Sequence, residues 1–214
     1  MTVFNQSVLV SMLESASKNI HEQIPMLNQL DGKTGDGDHG TTMERICHCI
    51  DESLAIECDD WNKQVDDLGW SIMSQDGGSA GMLVGNLFLG LASGLVEKDL
   101  SPIQTASAFR LGLERLMKFS GAHQGDKTML DALIPAIEAL ETQAVEADSI
   151  DEMFQVAALS AHDGAQATIA MKPARGRAKN MGDKAIGFVD PGATSMTIMF
   201  ESFNESIKNN SERN

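Results

Sequence analysis

DGKTGDGDHGTT, residues 31–42, carries three aspartates, a histidine and four glycines in one short run. Neither a helix nor a strand tolerates so many glycines in its interior, because glycine loses the most backbone freedom on ordering. The run is therefore a loop. It separates two segments with helical apolar spacing: residues 3–27, with Val8, Leu9, Met12, Leu13 and Ile20, and residues 41–56, TTMERICHCIDESLAI.

Outward from this loop the helical period continues almost to the end. Helices are expected over 60–74, 79–95, 102–119, 127–143, 150–168 and 192–207. Two start signals support them. Ser101-Pro102-Ile103-Gln104 places a capping serine, a first-turn proline and a capping-box glutamine in order. Ser149-Ile150-Asp151-Glu152 reads as a second such box, and Asp126 as the cap of the helix from 127. Pro135 inside that helix predicts a kink or local distortion. No convincing strand is seen. The polar tail NESIKNNSERN is expected to fray, giving one helical domain over 1–208 and a tail over 209–214. The apolar stretch AGMLVGNLFLGLASGL, 80–95, is too short for a membrane span and reads as a core helix. Its Gly81, Gly85 and Gly90 are expected to admit close neighbours.

Eight helices without strands predict an all-α fold: a single antiparallel eight-helix bundle or barrel. In an up-and-down bundle alternate connections share an end. The four loops rich in glycine and polar residues, 28–40, 75–81, 120–127 and 171–192, follow helices one, three, five and seven. They should meet in one composite site.

The charge pattern narrows its chemistry. The chain carries a net charge of −15, which excludes a general binder of nucleic acid or anionic membranes. Yet KPARGRAKNMGDK, 172–184, sets five basic side chains against Asp183 alone. Arginines match phosphate oxygens. Asp31, Asp36 and Asp38 are crowded anions that call for a hard cation such as Mg²⁺ or Ca²⁺. The helix start at Gly40-Thr41-Thr42 offers free N–H groups to a phosphate. Gly77, Gly78 and Gly81 in DGGSAG permit close backbone approach, with Ser79 as a hydroxyl. Met129 suits either a flat ring or the core. An EF-hand from Asp36 fails at Thr41 and Cys47, and a Walker A loop ending at Thr34 fails at Leu27. Cys47-His48-Cys49 lacks the spacing of a zinc site on a helix. Three cysteines and no leader-like segment point to a reducing cytoplasm.

Taken in order, GDGDHGTTM (35–43), GGSAG (77–81), GDKTMLDAL (125–133), ARGRA (174–178) and IGFVDPGATS (186–195) resemble the nucleotide-binding subunits of dihydroxyacetone kinases over nearly the whole chain. The resemblance implies an eight-helix barrel with the nucleotide at one end and two Mg²⁺ ions on Asp31, Asp36 and Asp38. It implies ADP or ATP contacts from His39, Thr41, Thr42, Ser79, Ala80, Gly121, Met129, Arg177 and Asp190. Catalysis would rest on the three aspartates and Arg177, by positioning and charge neutralisation. It implies a sugar-binding partner subunit, and a phosphocarrier of the phosphotransferase system that recharges bound ADP. The alternatives it leaves open are exchange of free ATP, another three- or four-carbon sugar, an ADP-dependent regulator of a transcription factor, and a homodimer. Ala80, Gln124 and Asn180-Met181 depart from the family pattern.

Overall fold

The computed structural model describes residues 2–76 and 78–211. Eight α-helices follow in order: α1 Gln6–Asp31, α2 His39–Leu54, α3 Trp61–Ser74, α4 Gly78–Ala92, α5 Pro102–Ser120, α6 Leu130–Ala144, α7 Ile150–Ala167 and α8 Pro191–Ser211. Each helix packs on its sequence neighbours, and α1 packs on α8, so the antiparallel row closes into a ring. The all-α expectation holds. Among the described residues no helix is long and apolar enough to cross a membrane.

Apolar faces at helical spacing fill the ring. Phe4, Phe109, Phe154, Phe200 and Phe203 form a contiguous aromatic cluster, with Trp61 against Phe4. Burying each such side chain contributes about 2–3 kcal/mol of favourable transfer. Close helix approach is set by small residues. A Cβ on Gly90 would lie 2.6 Å from the Gly112 Cα, and one on Gly85 would lie 2.4 Å from Met73 Cγ. Gly81 does not take part in this, since the nearest atom to its would-be Cβ is 3.8 Å away.

Several boundaries differ from the sequence reading for identifiable reasons. Phe4–Asn5 (β1) pairs antiparallel with Asp99–Leu100 (β2). Two-residue strands are too short to leave an alternating pattern. α1 runs on to Asp31, so the first aspartate of the glycine-rich run is helical. α6 begins at Leu130 rather than 127, because Lys127 holds φ at +60°. Asp126 is therefore no cap for α6; its carboxylate accepts from the His123 N–H, 2.9 Å. The N-cap residue of α6, Met129, makes no side-chain cap bond; Asp131, in the first turn, instead ties down the preceding loop, accepting from the N–H groups of Thr128 (2.7 Å) and Gly125 (2.5 Å).

The Ser101 capping box forms as expected, whereas Ser149 makes no cap bond within α7. Its hydroxyl accepts from the Thr2 N–H at 2.9 Å and also pairs with Asp151. α6 stays continuous through Pro135. Proline supplies no N–H to the Asp131 carbonyl, and Gly164 of α7 lies so close to that oxygen that a Cβ would sit 2.0 Å from it. Two 3₁₀ segments, Thr168–Ala170 and Arg177–Ala185, lie in the long connection before α8. Helix α8 extends to Ser211, beyond the 207 expected.

Candidate active site

The four glycine-rich loops meet at one pole. Together they line a cavity of about 550 Å³, within the range of small-molecule sites. Asp31, Asp36 and Asp38 come from the first loop, Asp76 and Gly78 to Ala80 from the second, Ala122 and Lys127 from the third, and Arg175, Arg177 and Asp190 from the fourth. The amino termini of α2, α4, α6 and α8 all point to this pole. Their positive dipole ends favour an anion there.

The first loop folds around Asp31. Its Oδ2 accepts three backbone N–H groups, from Gly37 (2.9 Å), Asp38 (3.0 Å) and His39 (3.3 Å). One carboxylate thus caps α2 and shapes the loop. Gly35 has to be bare, since a Cβ would lie 2.3 Å from Asp31 Oδ1. Asp31, Asp36 and Asp38 each bring a carboxylate oxygen within 4.8 Å of the others, the only such three-residue group among the described residues. Three hard oxygen donors without a thiolate fit Mg²⁺ or Ca²⁺. Arg177 already reaches this cluster: its Nη1 pairs with Asp36 and lies 3.7 Å from Asp38.

The remaining expected residues divide. His39, Thr42, Ser79, Ala80, Met129 and Asp190 line the cavity with them. Thr41 does not: its N–H and hydroxyl bond the Asn28 side chain of α1. Gly121 does not either; its carbonyl accepts from Arg175 Nη2 at 2.7 Å and so steadies a cavity-lining arginine. Gly77 falls outside the described residues. Cys47 and Cys49 are both buried while His48 is exposed and pairs with Glu52, so they form no metal tract.

Burial tunes three titratable groups. His39 is 8% exposed, and burial holds its pKa down to about 4, against the opposing pull of Asp31. Its imidazole is neutral near pH 7, and Nε2 lies 3.1 Å from the Ser195 hydroxyl. Asp190 caps α8, accepting from the Ala193 N–H at 2.8 Å. Burial pushes its carboxyl up to about 7, with Asp131 adding to the rise. Lys127 is 2% exposed, and burial lowers its pKa. Its ammonium donates to the carbonyls of Thr168 and Phe188, both 2.5 Å.

Sequence reasoning singled out Arg175 only within the basic run 172–184, and it missed Lys127, Arg45 and, Met129 apart, the apolar lining. Lys127 stands in GDKTMLDAL, and a lysine between an aspartate cap and a helix gives no periodic signal. Arg45, on α2, donates to the Asp76 carbonyl and so ties that helix to the second loop. Leu83, Leu116, Phe119, Met129 and Leu130 supply the apolar part of the cavity lining. Their spacing is that of ordinary core.

A closed ring of eight helices with one charged cavity at its pole defines the class. Residues 33–205 match the DAK2 domain, and the chain belongs to that family. It is 31% identical to the ADP-binding subunit of the PEP-dependent dihydroxyacetone kinase of Escherichia coli, covering 92% of this chain and 95% of that one. It is 33% identical to the D-erythrulose kinase of Mycolicibacterium smegmatis, covering 80% of this chain and 30% of that one. The dihydroxyacetone kinase of C. freundii, solved with AMP-PNP and Mg²⁺, superposes with a TM-score of 0.75 at 25% identity. That match covers 96% of this chain and 35% of the larger enzyme.

Proposed function

We propose that this chain is the ADP/ATP-binding subunit of a dihydroxyacetone kinase, which passes a phosphoryl group from Mg-bound nucleotide to a short keto-sugar held on a partner subunit. The observation that carries the reading is the convergence of Asp31, Asp36, Asp38 and Arg177 beside an apolar wall in one cavity. A polyphosphate needs the charged half, and a purine ring needs the apolar half.

Asp31, Asp36 and Asp38 would hold the cations, two in number by the family resemblance. A bound divalent cation neutralises charge on the phosphate oxygens. Arg177 stands beside the same carboxylates, where its guanidinium balances charge on the group in transfer. Ser79 and the start of α4 offer donors to phosphate oxygens. Met129, Leu116 and Phe119 grip the base and keep water from that side. By the family resemblance the sugar sits on a partner subunit, and the acceptor hydroxyl and its base would lie there.

Native mass spectrometry tests the first half: ADP and magnesium should co-purify. An assay with a sugar-binding partner subunit and dihydroxyacetone tests the second. No phosphorylation of any short ketose would overturn the reading. The PEP dependence of the E. coli relative supports recharging of bound ADP by a phosphocarrier. Turnover driven by PEP and carrier but not by free ATP would establish it. The D-erythrulose kinase relative favours a four-carbon sugar as the second substrate to try. The unpaired cysteines suit a cytoplasmic setting.

A further inference from the structure

The fourth loop is strung between two anchors at the cavity. Arg175, Gly176 and Arg177 are consecutive, all exposed, and all line the cavity, so they form part of its outer wall. At one end of this strap Arg177 pairs with Asp36 of the first loop. At the other, Arg175 is held on the third loop. Its Nη2 donates to the Gly121 carbonyl at 2.7 Å, and its Nε lies 3.8 Å from Asp126 Oδ2. The Asp126 carbonyl also accepts the Ala174 N–H at 3.0 Å, so one residue grips the strap by backbone and side chain together. Gly176, at φ +64°, turns the chain between the two arginines in a conformation that few other residues adopt.

The two anchors respond differently to loading. The Arg177 anchor is made of carboxylates that would hold cations, and a bound Mg²⁺ competes with the guanidinium for their oxygens. Gly121 and Asp126 are not part of the cavity lining, so the Arg175 anchor holds whatever the cavity contains. We infer that Asp126 is a positioning residue: through Arg175 it keeps the strap closed over bound nucleotide and so sets how fast nucleotide leaves and enters. This rests on the nucleotide-binding reading above and adds a control on exchange to it. A carrier that recharges ADP in place needs the nucleotide to stay, whereas use of free ATP needs it to leave. A strap that must swing aside slows exit and entry alike, which a direct contact to the nucleotide does not.

The test is the rate at which radiolabelled ADP leaves the Mg²⁺-loaded protein during a chase with unlabelled ADP, with the dissociation constant measured by calorimetry. Asp126→Asn removes the charge that faces Arg175 but keeps an oxygen for the His123 N–H. Release should quicken roughly 2- to 5-fold, the scale of a half-exposed ion pair. The dissociation constant should change by less than the release rate, because entry quickens too. Arg175→Gln breaks the same pair from the other side, leaves the His123 bond untouched, and should also speed release. Adding Asp126→Asn to Arg175→Gln should speed it no further. Unchanged release from both single variants overturns the inference and leaves the functional reading standing. So does a dissociation constant that rises in full proportion to the release rate, the mark of a lost contact, and so do additive effects in the double variant. An unsubstituted protein that binds no Mg·ADP overturns both.

Discussion

Arg177, from the last loop, reaches back to Asp36 in the first, and its guanidinium lies 3.7 Å from Asp38. A basic group thus occupies the approach to the carboxylates that would hold cations. Arg177→Ala should therefore have two effects of opposite sign. Mg²⁺ should bind the nucleotide-free protein more tightly, because a competing positive charge is gone. Phosphoryl transfer with the partner subunit should fall by about 10²-fold or more, on the scale of a lost charge-stabilising donor. Calorimetric titration and a coupled kinase assay read the two separately.

Gly35 gives a steric test of the same cluster. Gly35→Ala places a methyl 2.3 Å from Asp31 Oδ1 and must displace that carboxylate. A ligand at about 100 times its Kd raises stability by about 2.7 kcal/mol. That increment, seen as a rise in unfolding temperature with Mg·ADP, should be present in the unsubstituted protein and lost in the variant.

Asp190 sets a pH dependence. Its folded-state pKa lies near 7, above the ordinary carboxylate value of 3.8. Below about pH 4 both states hold the proton. Between about 4 and 7 the unfolded chain ionises while the folded chain keeps its proton, so stability falls as pH rises. The slope from this one group is at most about 1.4 kcal/mol per pH unit. Asp190→Asn retains a capping oxygen for the Ala193 N–H and should flatten that slope in urea unfolding across the window.

Lys127 tests how the long connection before α8 is held. Lys127→Met leaves the Thr168 and Phe188 carbonyls without their donor. A loss of about 2–3 kcal/mol in unfolding free energy is expected from two such groups. Amide exchange should quicken selectively over 168–188.

The cysteines give a chemical check. Burial pushes the Cys47 thiol up to about 12, and Cys49 is buried too. Cys58 is partly exposed. Brief alkylation of the folded protein should modify Cys58 alone, as peptide mapping would read.

Much of this architecture was legible before the coordinates. Helices with one apolar stripe announce themselves by period, and the alternation of glycine-rich loops with plain ones fixed which end carries the site. What escaped was set by single backbone angles and by contacts distant in sequence. Lys127 at φ +60° delays α6 by three residues, and no propensity scale marks it. Ser149 abandons its expected cap for Thr2, a partner that only the closed ring brings near. Leu116 and Phe119 line the cavity because α5 ends there, while their spacing is that of any core helix. The aspartates were visible because three crowded carboxylates in a glycine-rich turn call for a cation, a reading that the other three loops favoured over a merely solvated acidic turn. That Asp31 caps α2 while standing in the cluster was not visible, since its bonds depend on the path of the loop.

At the pole far from the cavity the hydroxyls of Thr2 and Ser211 meet, 2.9 Å apart, and both bond Asp151. Thr2 and Ser211, the first and last described residues, are therefore neighbours on the rear of the molecule. An affinity tag or fluorescent reporter fused to either end would leave the nucleotide mouth unobstructed. Joining the ends through a short tether and opening the chain at a rear connection, such as that between α2 and α3, should give a circular permutant that still presents the same four loops.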